Sequence, residues 1–489
     1  MNESLSESVD GLPNLCGAET LVEDSARTAG PVFLPGSTVD FPRVRGAFAV
    51  ALHMHQPLIP AEGGDLRAAE VISNLRFMKE HPEVPDAHNW ATFLDCYRRM
   101  GEYIPQLVRE GHEPRVMLDY SGCLLHGLRQ MGAGDVIEAL VPLAQEPRYR
   151  RCVEWLGTAW GHAVAPSTPP RDFRLHVRAW RHHFAAVFGT EALSRVRGFS
   201  PPEMALPNHP DDAYAFVLTL KDCGYRWVLV QEHSVERLGA GGGVERPHAP
   251  HRLVARSSGG DVATIVAVIK TQGSDTKLVG QMQPYYEAKG LSRVELGGRS
   301  APQLVTQIGD GENGGVMMNE FPPKFMQVSR EASGTETPPM NVTEYLEHLD
   351  AAGVREEDFP PVQPVFQQRI WDRSGDSAGP EAMNALIEQL RREDGRFHVE
   401  GGSWTGDRSW VRGYGGVLDD MRAASEAFDE HIVRAGVSTS DPRYRPALFH
   451  LLVAQTSCFR YWGQGAWTDY GRELCRRAVE AAGGSAPIH

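Results

Sequence analysis

The order of apolar and polar positions along the chain predicts short strands that alternate with amphipathic helices. Strand-like apolar runs lie at 46–52, 114–121, 152–157, 195–199, 227–231, 262–270 and 302–308. Apolar residues spaced by three or four mark helices at 89–110, 122–131, 171–189 and 211–222. Because strands separated by helices are joined by right-handed crossovers, the pattern predicts an α/β fold with a parallel sheet.

This alternation does not extend to the two ends of the chain. Residues 1–43 carry few large apolar side chains, so we predict a flexible N-terminal extension that buries too little surface to order itself. Residues 44–375 form the predicted α/β unit. Residues 376–489 form a predicted α-helical C-terminal domain, with helical patterns at 381–393, 417–435, 446–462 and 468–482.

Composition and charge narrow the classes of partner. The 49 basic and 63 acidic residues give a formal charge of −14, which provides no net attraction to nucleic acid or to an anionic membrane. No apolar run approaches the roughly 18 to 20 residues of a spanning helix. Seven scattered cysteines without a CxxC pair, and an N-terminus that does not resemble a secretory signal, predict reduced thiols and a cytoplasmic protein.

Unusual polar clusters follow the predicted strands, and in a parallel barrel the carboxyl ends of the strands form the face that carries an active site. In LHMHQP, His53 and His55 are two residues apart and so point to the same side of an extended chain. Hydrogen bonding in a corner, metal ligation and binding of substrate hydroxyls are all open for this pair. In EWLGTAWGHAVAP, Glu154 lies within a strand and His162 in the following loop; for Glu154, pairing with a barrel neighbour is the alternative to a site role.

Two further clusters carry acids. Glu203 in RGFSPPEMALP follows two prolines that stiffen its turn, although a glutamate that only favours a helix N-terminus is the alternative. Asp310 and Glu312 lie in the Gly-rich QIGDGENGG after a strand. A calcium loop is the alternative there, but the spacing lacks the longer EF-hand pattern.

Aromatic side chains gather late in the chain. They are Trp404 and Trp410 in GGSWTGDRSWVRGYGG, and Tyr461, Trp462 and Trp467 in AQTSCFRYWGQGAWTDYG. Such residues are usually core, but their mixture with Gly, Gln, Arg and Asp also suits a platform for sugar rings. Two carboxylates at strand ends, with aromatic and histidine neighbours, fit glycoside cleavage, and the sequence lacks the Gly-rich loops that bind nucleotides.

Taken in order, the five clusters resemble the five sequence regions of glycoside hydrolase family 57. HMHQP resembles the first, Glu154 through Pro166 the second, GFSPPEMAL the third, QIGDGENGG the fourth and AQTSCFRYWGQG the fifth. The resemblance implies a (β/α)7 barrel, a distorted TIM-like barrel, followed by an α-helical C-terminal domain. It also implies retaining cleavage of α-glycosidic bonds in an oligo- or polysaccharide, with no cofactor and no obligatory metal.

By position, the resemblance implies that Glu203 is the nucleophile and Asp310 the general acid/base, with Glu312 as a rival for the acid. The predicted substrate-binding residues are His53, His55, Gln56, Glu154, His162, Glu312, Trp404, Trp410, Tyr461, Trp462 and Trp467. The sequence departs from the family pattern at Ser200, where the third region often has Trp, and at Gly463 and Gln464. Hydrolysis, chain transfer and branching therefore all stay open.

Two other functions are consistent with the residues. A metal-dependent deacetylase or mannosidase-like enzyme would use His53, His55, His162 and Asp119 as ligands, but the sequence has no HxxxH or HExxH spacing and the paired acids would be unused. A non-catalytic α-glucan-binding protein would keep the aromatic groove alone.

Overall fold

A closed barrel of seven parallel strands lies at the centre of the protein. The computed structural model describes residues 5–26, 30–61, 65–271, 276–312, 315–403, 415–461 and 465–485. The barrel strands, numbered along the chain, are β1 Gly46–Met54, β2 Val116–Tyr120, β3 Val153–Gly157, β4 Gly198–Phe199, β5 Trp227–Gln231, β6 Val262–Lys270 and β7 Gln303–Asp310.

Neighbouring strands in the barrel are parallel throughout. β1 to β5 pair in chain order, β5 pairs with β6, and β7 pairs with β1. The ring closes at the pair Lys270 and Thr306 between β6 and β7. β4 has two residues, so the barrel is irregular. The predicted (β/α)7 barrel fold is confirmed.

The barrel strands are buried on both faces, which explains why they read as apolar runs without alternation. Every residue of β2, β3 and β5 is buried. Parallel strands covered by helices outside and by packed side chains inside have this character. The predicted limits of β5 and β6 therefore match the structure residue for residue.

Helices surround the barrel and follow it along the chain. The α-helices span Glu19–Ala26, Asn74–Glu80, Trp90–Arg98, Met100–Arg109, Gly122–Gln130, Gly134–Gln145, Pro147–Arg150, Pro170–Phe188, Thr190–Leu193, Pro210–Asp222, Thr276–Gly280, Gln283–Lys289, Phe321–Ala332, Val342–Ala351, Gln367–Ser374, Pro380–Glu393, Gly415–Phe428, Tyr444–Ala454, Cys458–Tyr461 and Ala466–Ala482. Shorter helical turns span Leu34–Gly36, Phe41–Arg43, Ala87–Asn89, Ala165–Ser167, Pro202–Met204, Glu232–Ser234, Val316–Glu320, Glu356–Asp358 and Asp429–Val433. No described helix is both long enough and apolar enough to cross a membrane.

The strand pattern did not predict an antiparallel extension of the barrel sheet. His251–Arg256 pairs antiparallel with β6, and Pro361–Pro364 joins it to Val235–Arg237. Separate two-stranded pairs are Ser8–Val9 with Leu12–Pro13, Leu58–Pro60 with Val71–Ser73, and Val294–Leu296 with Arg299–Ala301. These strands are mostly two to four residues long, which is too short to show a period of two.

One helix closes the amino-terminal end of the barrel. Asn341 caps helix Val342–Ala351, together with the side chain of Glu344. Glu344 also pairs with Arg115 at 2.8 Å, and both side chains are 1% exposed. Tyr345 donates from its hydroxyl to the carbonyl oxygen of Pro302 at 2.7 Å. The Arg115–Glu344 pair and the Tyr345 hydrogen bond therefore hold this helix against the end of the barrel.

The C-terminal helices pack on one another. Gly415–Phe428, Tyr444–Ala454 and Ala466–Ala482 are mutual neighbours. The sequence predicts one helix over 446–462, but the structure has a polar turn at 455–457 between Tyr444–Ala454 and Cys458–Tyr461. In this turn the hydroxyl of Thr456 donates to the carbonyl oxygen of Val453 at 2.9 Å. The predicted division into units at 44–375 and 376–489 stays a prediction.

The described part of the N-terminal segment is packed against the other elements, which differs from the predicted flexible extension. Leu15 and Val22 are 1% and 2% exposed. Helix Glu19–Ala26 lies against Pro170–Phe188 and Thr190–Leu193. The segment has few apolar residues, but Leu15, Val22 and Phe33 are buried and others are partly buried, which composition alone does not show.

A carboxylate ties the next stretch to the barrel end. Glu347 accepts hydrogen bonds from the backbone N–H groups of Val32, Phe33 and Leu34 at 2.6, 2.8 and 2.7 Å. Phe33 is 3% exposed.

We predict that a chain beginning at Gly30 is less stable than the full chain. The loss of the buried side chains of Leu15 and Val22 removes about 4 kcal/mol of transfer free energy, so the unfolding midpoint should fall by about 4 °C. Differential scanning calorimetry of the two proteins measures this. An unchanged midpoint would support the flexible extension.

Candidate active site

Polar side chains meet where β7, β1 and β2 end. In the strand register Asp310 lies beside His53, and His53 lies beside Asp119. The chain continues from β1 into His55 and from β2 into Ser121. Parallel strands bring their carboxyl ends to one face, so these five residues come together as the fold forms.

Three histidine rings lie face to face at this end of the barrel. The ring centroids of His53 and His162 are 4.6 Å apart, with 27° between the planes. Those of His55 and His162 are 4.1 Å apart, with 15° between the planes. We call His53, His162 and His55 the histidine stack. The two predicted clusters that carry these histidines are thus brought together.

Each ring of the histidine stack has its Nδ1 at hydrogen-bond distance from a different buried side chain. The pairs are His53 with Asp119 Oδ2 at 2.9 Å, His55 with Ser121 Oγ at 2.7 Å, and His162 with Ser457 Oγ at 2.7 Å. Since the partners lie on β2, after β2 and in the polar turn 455–457, the orientation of the rings depends on both the barrel and the C-terminal helices.

The loop that carries His162 is held against the polar turn 455–457. His162 has a positive φ of 56°, which is uncommon for a residue with a side chain. Its carbonyl oxygen accepts from the backbone N–H of Ser457 at 3.2 Å. Ala163 and Thr456 form an antiparallel bridge beside this bond. The contacts fix His162 in a conformation that a free loop would rarely adopt.

Glu203 is held by a turn of unusual backbone conformation. Its φ is 60° and its ψ is 18°, and Met204 follows with a φ of 51°. Two consecutive non-glycine residues with positive φ store strain, which is typical of functional sites. Oε1 of Glu203 lies 3.7 Å from Nδ1 of His162, and the glutamate side chain is 18% exposed. The turn therefore presents this carboxylate to the histidine stack.

Two further acids, Asp310 and Glu312, lie at the end of β7, which neighbours the strand that carries His53. Asp310, the last residue of β7, is exposed. Glu312 accepts from the backbone N–H of His55 at 3.1 Å and from the hydroxyl of Tyr97 at 3.4 Å, both on Oε1. Its Oε2 is buried and has no hydrogen-bond partner among the described residues. Burial first, and then the charge of Asp310, raise the pKa of Glu312 to about 7.

A buried arginine fixes the backbone that carries Glu312. Arg99 donates from one guanidinium nitrogen to the carbonyl oxygen of Gly311 at 3.0 Å and from another to that of Met317 at 2.6 Å. The N–H of Gly311 donates to the carbonyl oxygen of His53 at 2.8 Å. A Cβ on Gly311 would lie 2.2 Å from the sulfur of Met54, so a larger residue would require the buried Met54 side chain to move.

The three histidines differ in charge. Burial opposes protonation of His53, but Asp119, and then Asp310 and Glu312, raise its pKa to about 10. Burial lowers the pKa of His55, and the charge on His53 lowers it further. Burial and the neighbouring histidines likewise lower the pKa of His162. At neutral pH the histidine stack thus holds one imidazolium and two neutral rings.

Cys458 contacts the histidine stack. Its Sγ is 3.5 Å from Nε2 of His55. Burial first, and then the charges of Glu203 and Glu312, raise the pKa of this thiol. The thiol is therefore protonated at neutral pH beside the ring of His55.

The structure places Glu154 elsewhere, which corrects its prediction as a substrate-binding residue. Glu154 is the second residue of β3, near the amino end of the barrel, and it is 0% exposed. Its Oε2 accepts from the backbone N–H of Thr343 at 3.0 Å, and its Oε1 contacts the hydroxyl of Thr343. The alternative, a buried acid paired with a barrel neighbour, describes this residue.

The other predicted binding residues fall into two groups. Gln56 accepts from Asn74 at 2.9 Å beside the histidine stack and is 9% exposed. Trp467 packs on Phe459 and Tyr470 at centroid distances of 6.3 and 5.9 Å, so it contributes to the packing of the C-terminal helices. Trp404, Trp410, Trp462 and the side chain of Tyr461 lie outside the described residues.

Several residues of the site are not indicated by the sequence. The sequence indicates Asp119 only as a metal ligand, and it indicates no site role for Ser121, Tyr97, Ser457 or Cys458. Asp119 and Ser121 end a predicted strand, so the rule that located His53 also locates them. Ser457 and Tyr97 lie within helical patterns, where nothing in the spacing marks them.

The metal-dependent alternative lacks a ligand set in the part of the chain that the structure describes. No group of three or more His, Cys, Asp or Glu side chains there has an arrangement that could hold a metal ion. The Nδ1 atoms of His53, His55 and His162 face three different partners, so these nitrogens do not converge on one point.

Comparison with known proteins identifies the fold. Neither a family model nor a curated protein sequence matches the chain. Among solved structures, a 4-α-glucanotransferase from Thermococcus litoralis matches with a TM-score of 0.53 and 17% identity, over 90% of this chain and 59% of that one. A GH57 branching enzyme from the hyperthermophilic archaeon Thermococcus kodakaraensis matches with a TM-score of 0.51 and 12% identity, over 89% and 88%. The chain has a GH57-like fold.

We predict that Glu154→Gln changes stability but not the site. Burial raises the pKa of Glu154 to about 7, so the stability that its proton provides is fully present below about pH 4.5 and is lost as the pH rises through 7. Between pH 5 and pH 8 the wild type should lose about 2 kcal/mol that the variant keeps. Denaturant unfolding at both pH values measures the difference. If the variant had a raised KM for an α-glucan and an unchanged pH dependence of stability, Glu154 would be a substrate-binding residue after all.

Proposed function

We propose that the protein is a retaining enzyme that cleaves or transfers α-glucan chains, with Glu203 as the nucleophile and Asp310 as the general acid/base. The observation that carries this proposal is the strained turn that presents Glu203 to the histidine stack, at the same end of the barrel as Asp310 and Glu312. The activities of the two fold neighbours, a 4-α-glucanotransferase and a branching enzyme, support an α-glucan as the substrate class.

In the first step, an oxygen of Glu203 forms a bond to the anomeric carbon as the bond from that carbon to the leaving oxygen breaks. Asp310 gives its proton to the leaving oxygen. In the second step, Asp310 takes a proton from water or from a sugar hydroxyl, whose oxygen displaces Glu203 from the anomeric carbon. This double displacement retains the α-configuration and requires carboxyl groups about 5 to 5.5 Å apart.

The electrostatics of the site suit these steps. The nucleophile must be ionised while the acid holds a proton, so two carboxyl groups with different pKa values are needed. Glu312 holds a proton up to near neutral pH, because burial and the charge of Asp310 raise its pKa to about 7. The imidazolium of His53 compensates the negative charge that remains on these two acids.

We predict that Glu203→Gln lowers kcat on maltooligosaccharides by about four powers of ten, because the amide cannot form the covalent intermediate. Steady-state assays of the products measure this loss. Glu154→Gln is the matched control, since it makes the same change in a buried acid of the same barrel. The nucleophile assignment is wrong if the folded Glu203→Gln protein keeps more than about a tenth of its activity.

We predict that the rate falls above about pH 7 in the wild type and that Glu312→Gln removes this limb. Glu312 holds a proton below its pKa of about 7 and can pass it to Asp310, and above that pH this supply to the general acid is lost. The pH dependence of kcat/KM on maltooligosaccharides measures the limb. Glu154→Gln, which removes an acid of similar pKa at the other end of the barrel, should leave the limb in place.

The roles of Asp310 and Glu312 can be distinguished with a substrate whose leaving group needs little protonation. Asp310→Asn should lose most activity on maltooligosaccharides yet keep the first step with α-glucosyl fluoride. Glu312→Gln should keep the first step with the fluoride and should lose less activity on maltooligosaccharides than Asp310→Asn. The reverse pattern would make Glu312 the general acid and Asp310 its charged neighbour.

A further inference from the structure

The hydrogen bonds of Ser121 determine which nitrogen of His55 carries the proton. The Oγ of Ser121 accepts from the backbone N–H of Leu124 at 3.2 Å, as the N-cap of helix Gly122–Gln130. The same Oγ lies 2.7 Å from Nδ1 of His55. The backbone N–H of Ser121 donates to the carbonyl oxygen of Met54 at 3.1 Å, which holds the serine against the strand that leads into His55.

A hydroxyl has one proton to donate, and the surroundings of Ser121 give that proton one acceptor. Ser121 is 0% exposed and His55 8% exposed, so water does not compete freely. Among the described residues no other acceptor meets this hydroxyl. If Nδ1 of His55 carried a proton, the Oγ would accept two hydrogen bonds and its own buried proton would be left without a partner, which costs free energy.

The remaining nitrogen of His55, Nε2, lies 3.5 Å from Sγ of Cys458. The ring of His55 stacks on that of His162, whose Nδ1 is 3.7 Å from Oε1 of Glu203, so this nitrogen lies on the side of the barrel that carries Glu203. Sulfur is a weak acceptor, so a sugar oxygen that reaches this nitrogen is a better partner for an N–H group. Burial and the charge on His53 favour the neutral state of His55. A neutral ring carries one N–H group, so the tautomer decides whether Nε2 is a donor or an acceptor.

We propose that Ser121 is a positioning residue that fixes His55 in its Nε2–H tautomer, so that the ring offers a hydrogen-bond donor to a sugar oxygen beside Glu203. The proposal rests on the proposed function for the identity of the ligand, but the tautomer is a property of the protein alone. Ser121 acts through two bonds at once, because capping the helix directs its proton to the histidine.

The tautomer is measured directly by NMR of the full chain labelled with [15N]histidine, with the His55 signals assigned by their loss in His55→Gln. In the wild type at neutral pH we expect a protonated Nε2 and an unprotonated Nδ1. In Ser121→Ala we expect a mixture of both tautomers. A wild-type proton on Nδ1, or an unchanged Ser121→Ala spectrum, would overturn the proposal whether or not the protein turns over α-glucans.

Steady-state kinetics provide a second, independent test of the role of Ser121. Ser121→Ala should lower kcat/KM on maltooligosaccharides about tenfold, the effect of one misdirected neutral hydrogen bond. Ser73→Ala is the matched control, because Ser73 is also a buried serine that caps a helix, Asn74–Glu80, without touching a ring of the histidine stack. It should change kcat/KM less than about threefold. Equal losses in the two variants would assign Ser121 a capping role alone.

Discussion

The packing of three imidazole rings against one another is the contact on which the candidate site depends. His53 and His55 come from the end of one barrel strand, and His162 comes from a loop two strands away. Ser457, which holds His162, lies beyond the barrel in the polar turn between C-terminal helices. The orientation of the rings therefore depends on the barrel and on the C-terminal helices together. Oε1 of Glu203 lies 3.7 Å from Nδ1 of His162, so the position of this carboxylate relative to the rings depends on the same contacts.

The two ends of the barrel show opposite properties. At the amino end, Arg115, Glu344, Glu154 and Thr343 satisfy one another in the interior, and such groups cost little only when every partner is present. At the carboxyl end, His162, Glu203 and Met204 adopt positive φ values, and Glu312 keeps an unpaired buried oxygen among the described residues. Strain and unmet hydrogen bonding are destabilising, so they persist only on a well-fixed scaffold. A rigid amino end and a strained carboxyl end suit an enzyme that must orient its carboxylates before the substrate binds.

Much of the fold could be predicted because buried parallel strands have a strong sequence pattern. β5 and β6 were located residue for residue, and Glu203 was located by its prolines. Glu154 was assigned to the wrong end, because a strand pattern does not show how far along the strand a side chain lies from the active face. Ser457 could not be found, since the helical pattern 446–462 conceals the turn that pairs with Ala163. The packing of the N-terminal segment was missed because its burial depends on distant helices.

The covalent intermediate is the most direct test of the account. The protein is incubated with a 5-fluoro α-glucosyl fluoride, which forms the glycosyl-enzyme readily and releases it slowly, and is then digested and mapped by mass spectrometry. We expect one sugar per chain, attached to the peptide that contains Glu203. A label on another residue, or rapid turnover of α-glucans by a protein that is never labelled, would contradict the account.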